Sequence, residues 1–512
     1  MSKAINPWLI APVVALAAFM EIMDISIANV SLPHIAGDLS SSQDESTWVL
    51  TSYLVTNAVV MPISGWLSNT FGRKLFFMVC IAGFTISSLL CGLAPNLATL
   101  ILLRAIQGAT GGGLQPSGQA ILADSFPPEK RGMANAIYGI AAVFAPAIGP
   151  TLGGWITDSY SWRWIFLINV PVGVALLFLV GALIQEPKRE DSRNGQRAPV
   201  DWWGFGFVAL SLGCLQIVLD RGQQDDWFAS HYILVLSMVS AAALVLLIVR
   251  ELTHEHPMVD LRLLGSADFA VAFILMLMLG FMLLGSTYLI PAFVQSLMGY
   301  RAVDAGMVLT PGGFIIIALL PIMGRLINKV DVRLLIGIGL MICGCGLWWM
   351  TNFYLDASYT TIMLARMAQA SGLAFLFIPI NTVAFRSIRK EQINNASALV
   401  NLARNFGGSI GISVASTLVT RRAQFHQSRL TESLQGLNPA YPDYANHVGA
   451  LYGSGPDAST TLAQIYQGVV QQSTLLAYID DFKALGLMIL ATLPILLLVK
   501  PGKGGGGAGA VH

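Results

Sequence analysis

Apolar residues run along this chain in blocks about twenty long, separated by short polar stretches. That is the length a helix needs to cross a bilayer, and it is wider than the one-sided stripe of a soluble amphipathic helix. Such blocks lie near 8–32, 47–68, 75–95, 98–121, 134–157, 164–185, 203–220, 231–250, 267–290, 303–325, 333–353, 359–384, 396–420 and 480–499. The pattern predicts about fourteen spans, an all-α polytopic membrane protein. The first block contains Glu21 and Asp24, which the core of a cleavable signal avoids, so it reads as a span.

Composition points the same way. The chain has 512 residues, of which 55% are hydrophobic and 11% charged. Soluble domains carry about 25% charge. A net charge of +1 offers no basic field for nucleic acid.

The basic residues fix an orientation. With Met1 on the cytoplasmic side, about 19 of the 29 lysines and arginines fall in inward loops and about 7 in outward ones. The expectation is that both termini are cytoplasmic. Residues 1–185 form a first six-helix half and 186–202 a charged cytoplasmic linker. Residues 203–250 form two extra central helices, and 251–499 a second six-helix half. The connection at 421–478 reads as a long polar outward loop, turn-rich at LNPAYPDYANH and helix-like near 457–477. Residues 500–512 read as a flexible glycine-rich tail.

The chain repeats itself. LLRAIQGATGGG (102–113) matches LARMAQASGLAF (364–375), aligning Arg104 and Gln107 with Arg366 and Gln369. Two related halves are the mark of an alternating-access transporter. Several stretches then resemble the major facilitator superfamily. GWLSNTFGRK (65–74) resembles its loop between the second and third helices. Arg104 with Gln107-Gly108 resembles its fourth-helix motif. APAIGPTLGG (145–154) resembles the fifth-helix motif of its drug:proton antiporters. MDISIANVSLP (23–33), WRWIFLINVPVG (162–173), LDRGQQDDWF (219–228) and NLARNFGGSIG (401–411) resemble the fourteen-span branch, and within it the EmrB type of multidrug exporter.

That resemblance implies a proton-driven efflux antiporter in the bacterial inner membrane, with the proton as coupling ion and no bound cofactor. It implies small hydrophobic drugs as substrates. It also implies a periplasmic membrane-fusion adaptor and a TolC-like outer-membrane channel as partners, beside the membrane lipids. Motif residues carried over are Gly65, Gly72, Arg73 and Lys74 in the loop, and Pro146, Gly149, Pro150, Gly153 and Gly154 in the fifth helix. One position departs. The family's loop acid is Asn69 here, which removes the charge used to hold the cytoplasmic side closed.

Charged residues inside spans cost about 2.5–3.5 kcal/mol on insertion scales and mark function. Glu21 and Asp24 are three apart and share a helix face with Ala28 and Ser31. Two carboxylates this close repel when both are ionised, which favours keeping a proton on one. Asp24, inside the family-like motif, is the first candidate and Glu21 the second, with Arg104 as cationic partner. The alternative is a structural pair neutralised by that arginine. Arg404 either holds an anionic substrate group or locks helices together. Gln107, Gln115 and Asn381 are candidate pocket hydrogen-bonders. Ala145, Gly149 and Gly153 form a stripe for close backbone approach, and the two prolines loosen the helix they share. This suits a bendable contact between halves.

Other signals lead nowhere. GGSIG (407–411) has the serine-hydrolase spacing without the strand-to-helix context or an intramembrane histidine. His254 and His256 lie in a polar loop with few further ligands. The five cysteines read as small buried hydrophobes. No phosphate-binding loop points to direct ATP use. A substrate-specific facilitator is the alternative function, and a membrane-embedded enzyme or receptor a remote one.

Overall fold

The computed structural model describes residues 6–185, 201–254, 257–386, 388–389, 392–434, 440–451, 455–456 and 458–499. The linker over 186–200, His256 and the tail over 500–512 therefore lie outside the described residues. In chain order the helices are α1 Pro7–Asp38, α2 Gln43–Ser46, α3 Trp48–Phe71, α4 Arg73–Gly92, α5 Leu97–Gly111 and α6 Leu114–Ser125. They continue as α7 Pro128–Ser159, α8 Trp164–Leu167, α9 Asn169–Leu183, α10 Trp202–Arg221, α11 His231–Thr253 and α12 Ala267–Met298. The last are α13 Ala302–Leu326, α14 Val332–Met350, α15 Tyr359–Phe385, α16 Ile393–Ser433, α17 Ala440–Leu451 and α18 Ser459–Leu490. No strand occurs among the described residues.

Helices begin where a side chain can satisfy an orphan N–H. Asn6, Asn96, Asp331 and Ser358 cap α1, α5, α14 and α15 through bonds of 2.9–3.2 Å. At Gly72 the chain needs φ +95°, a left-handed conformation that glycine adopts freely, and α3 turns there into α4. Asp201 caps α10 at Gly204 N–H (3.0 Å) and accepts from Arg250 of α11 at 3.0 and 3.1 Å. Burial works against this carboxylate, but the Arg250 and Gly204 bonds outweigh it and hold its pKa below the usual value.

Among the described residues thirteen helical segments are long and apolar enough to cross a membrane. The expected segment 396–420 is a helix too, the 41-residue α16, but its asparagines and arginines keep its hydropathy low. Two predicted spans are interrupted. The run 98–121 divides at Gly112-Gly113 into α5 and α6, and 164–185 divides at Ile168 into α8 and α9.

The largest correction falls on 421–478. Its described residues are mostly helix: α16 runs on to Ser433 and α17 occupies part of the turn-rich stretch, while the helix-like stretch expected near 457–477 is the start of α18, continuous with the last span. A small apolar cluster of Ala445, Val448 and Ile465 holds α17 on α18. Below it Asp480 accepts from Arg422 Nε (2.7 Å) and meets His426 Nε2 at 2.8 Å. Polar residues form a helix here because two neighbouring helices extend together and shield each other.

α1 packs on α7, α7 on α13, α12 on α16, and α16 on α3 and α6. α10 and α11 pair with each other, and α10 also lies against α3 and α16. Only 22% of the α11 window is buried, against 67% in α1 and α12, so α11 stands at the rim. α12 and α16 approach backbone to backbone. Gly280 sits against the Arg404 carbonyl, Gly407 against Leu277 and Gly411 against Phe281, with no room for a Cβ.

Candidate functional site

Many of the buried polar residues, on α1, α3, α5, α6, α9 and α16, gather into one connected centre. Glu21 and Asp24 lie on α1, both buried. Asp24 Oδ2 accepts from Arg104 Nη1 at 2.5 Å, and Oδ1 accepts from Gln107 (3.1 Å) and Asn169 (2.8 Å). Arg104 Nη1 also donates to Gln107 Oε1 (2.8 Å) and its Nε to the Val49 carbonyl (3.1 Å), while Nη2 has no hydrogen-bond partner among the described residues. Its guanidinium lies 4.3 Å from the Tyr53 ring centre. Asp24 thus faces a buried cation and two amide donors.

Glu21, one turn earlier, has different company. Oε1 accepts from Asn57 (3.0 Å) and Tyr53 OH (3.3 Å), and Oε2 accepts from Gln115 Nε2. Every direct partner is neutral. Gln115 then accepts from Arg404 Nη2 on α16, which also donates to Asn401 Oδ1 at 2.9 Å. Asn401 donates to Gln119 on α6 at 2.8 Å. Tyr53 touches both acids' surroundings, ring to Arg104 and hydroxyl to Glu21. The break at Gly112-Gly113 places Gln115 and Gln119 on a separate helix, α6, facing α1 and α16.

The repeat is visible in the side chains. Arg366 Nη1 donates to Gln369 Oε1 at 2.5 Å, as Arg104 does to Gln107, but its other partners are the hydroxyls of Ser286 (2.8 Å) and Thr287 (3.1 Å). The acid found at the first site has no counterpart at the second. Asn381 does not join either group; it donates to the Phe377 carbonyl of its own helix at 2.8 Å.

The motif residues separate into several contacts. Arg73 pairs with Asp124, and Lys74 donates to the Gly181 carbonyl at 2.7 Å. Gly65 lies against the backbone of Asn394 and Asn395, and Asn69 accepts from Asn394 at the start of α16. Gly149 and Gly153 face Ser26 and Ile27 of α1, where a Cβ on Gly153 would sit 3.0 Å from the Ile27 carbonyl. The stripe therefore meets α1. Contact with α13 is made by the neighbouring face, through Gly154 against Val303. Ser26 Oγ donates to the Pro146 carbonyl at 3.3 Å. That carbonyl is the one Pro150, lacking an N–H, leaves without its helical partner.

Tyr53, Asn57, Asn169, Gln119 and Asn401 complete the centre and do not stand out in the sequence. Asp481 on α18 is also buried and belongs to no cluster. Among the described residues no group of acids, histidines and cysteines is arranged to hold a metal ion, and His256 lies outside them.

Membrane-length helices that bury paired acids and arginines around a hydrogen-bonded centre define a secondary transporter. The chain belongs to the Major Facilitator Superfamily, whose family model matches residues 14–412, and it is a transporter rather than an enzyme. It is 36% identical to the multidrug export protein EmrB of Escherichia coli over 97% of this chain and 96% of that one. It is 35% identical to EmrB of Haemophilus influenzae (95% and 94%) and 36% to the fatty acid resistance protein FarB of Neisseria gonorrhoeae (96% and 96%). In fold it resembles the human organic anion transporter TETRAN, with a TM-score of 0.60 at 13% identity over 96% of this chain and 99% of that one.

Proposed function

We propose that this protein is a proton-driven multidrug efflux antiporter of the bacterial inner membrane. It spans the bilayer fourteen times with both termini cytoplasmic, in two six-helix halves (1–185 and 251–499) flanking two extra helices. It is the inner-membrane member of a tripartite pathway with a periplasmic adaptor and a TolC-like channel. The names of its relatives support the drug class. The buried coupling centre supports proton-driven transport, and the observation that carries it is the chain Glu21–Gln115–Arg404, which links α1 to α16 through α6.

Glu21 is the proton carrier in this reading. An acid bonded only to neutral donors can release and take a proton without stranding a counter-ion, whereas Asp24 loses its ion pair on protonation. Asp24 and Arg104 hold the first site in shape, and Arg104 cannot itself carry the proton. Arg404 reads the state of Glu21 through Gln115.

The test is reconstitution. In proteoliposomes an imposed pH gradient drives export of a fluorescent amphipathic compound, and adding drug releases protons. Export that ignores the gradient overturns the reading.

A further inference from the structure

Asp481 is fully buried in α18, and neither carboxylate oxygen has a hydrogen-bond partner among the described residues. It shares a face with Tyr478 and Leu485, three before it and four after, both buried. Rings pack on this part of α18, through Tyr478 on that face and through Phe482 beside it. Phe293 of α12 lies 5.5 Å from Tyr478 and 6.5 Å from Phe482, and Phe353 lies 5.9 Å from Phe482. An ionised carboxyl without donors or a counter-ion in such surroundings is far too costly to persist.

The neighbouring charges are spoken for. On α16, Arg422 and His426 both bind Asp480. On α12, Tyr288 faces Tyr478, whose hydroxyl meets Ser296 at 3.4 Å. On α14, Cys343 gives its thiol hydrogen to the Gln369 carbonyl, and on α17 Tyr444 lies near Gly468, more than three turns away. Lys483, on α18 itself, is exposed. None of these groups makes an ion pair or hydrogen bond with Asp481.

We propose that Asp481 is a second proton-binding site, separate from the Glu21–Asp24 centre and filled by a proton in this conformation. The carboxylate takes one proton from the aqueous phase and becomes a neutral carboxyl; no other bond changes. Its part in transport rests on the exporter reading above: the proton leaves when α18 shifts enough to give the carboxylate water or a donor.

Infrared spectra of the full-length protein in lipid nanodiscs at neutral pH test this. The wild type shows a protonated-carboxyl band that Asp481→Asn removes and Asp481→Glu moves. An unchanged band in Asp481→Asn overturns the proposal. If Asp481→Asn fails to insert, an unshifted band in Asp481→Glu overturns it instead. Drug-driven proton release by the same preparations separates the two ideas. A wild type that shows the band but no release defeats the exporter reading and leaves the site standing. Release together with an indifferent band defeats the site.

Discussion

Glu21 on α1 and Arg404 on α16 are joined through a single side chain, Gln115. The Gln115 amide nitrogen donates to the acid and its oxygen accepts from the base. A protonated Glu21 becomes a donor itself. When the proton sits on Oε2, the oxygen that Gln115 bonds, Gln115 has to turn its own oxygen toward Glu21, and Arg404 then faces an amide nitrogen that it cannot bond. Protonation on one helix is felt as a lost hydrogen bond on another.

Glu21→Gln is therefore expected to insert normally and to abolish drug-driven proton release in proteoliposomes. Asp24→Asn acts differently. It leaves Arg104 buried without its counter-charge, a loss of about 3–5 kcal/mol for broken buried pairs. Its thermal midpoint in detergent should fall, and adding Arg104→Gln should recover part of the loss. A fully coupled Glu21→Gln protein would refute the assignment.

The α1–α7 contact has its own test. Gly149→Leu or Gly153→Leu overpacks the approach to Ser26 and Ile27, at about 1–3 kcal/mol, and transport should fall while membrane protein level holds. Ser26→Ala strips the Pro146 carbonyl of its donor and should cost about 0.6 kcal/mol, the mean for such bonds in membranes. Thermal unfolding measures both, and unaltered transport in the two leucine variants would reduce the stripe to inert packing.

Asn69→Asp restores a charge beside the first turn of α16. An anion there is worth about 0.3–1 kcal/mol against the helix dipole. The variant should close this end more firmly, seen as slower labelling of a cysteine introduced at Asn395. Faster labelling would contradict it.

Asp201 gives a pH dependence. Its folded pKa is depressed, so the stability it supplies is present above about pH 3.9, the unfolded value, and is lost as pH falls through the lower folded value. Asp201→Asn should erase that acid-limb component from a thermal-midpoint series, and an identical series would count against the α10–α11 tie.

Removing 434–458, the tip between α16 and α18, should abolish drug resistance in cells while proton exchange by the purified protein survives. Crosslinkers placed in 421–478 should capture the adaptor. Retained resistance without a crosslink would end the docking role of this tip.

Much of the centre was legible because charges in apolar helices are conspicuous. Glu21, Asp24, Arg104 and Gln107 stand at helical spacing, and the pairing of Asp24 with Arg104 followed from scarcity of charge. The union of Gln115 with Arg404 was not legible, because residues 289 apart in sequence meet only when α6 and α16 pack. Tyr53, Asn57 and Asn169 are neutral and each looks ordinary within its own helix. Asp481 was hidden by a boundary: with the last span drawn from 480, it reads as a charge at the water surface, yet α18 starts at Ser459 and buries it. The same reliance on hydropathy missed the extension of α16 to Ser433, since hydropathy ends where lipid ends and helices need not, whereas the helix-like reading near 457–477 matches the start of α18.

The glycine contacts between α12 and α16 have an electrical consequence. With Gly280 set against the carbonyl of Arg404 itself, and Gly407 and Gly411 set against α12, the arginine cannot travel apart from that pair of helices. Its charge is permanent. Any tilt of the pair then carries a positive charge through the membrane field, where a full traverse is worth about 2.3 kcal/mol per 100 mV. The three glycines tie α12 to the helix that carries this charge, so a displacement of the pair across the membrane is expected to respond to the cell's resting voltage.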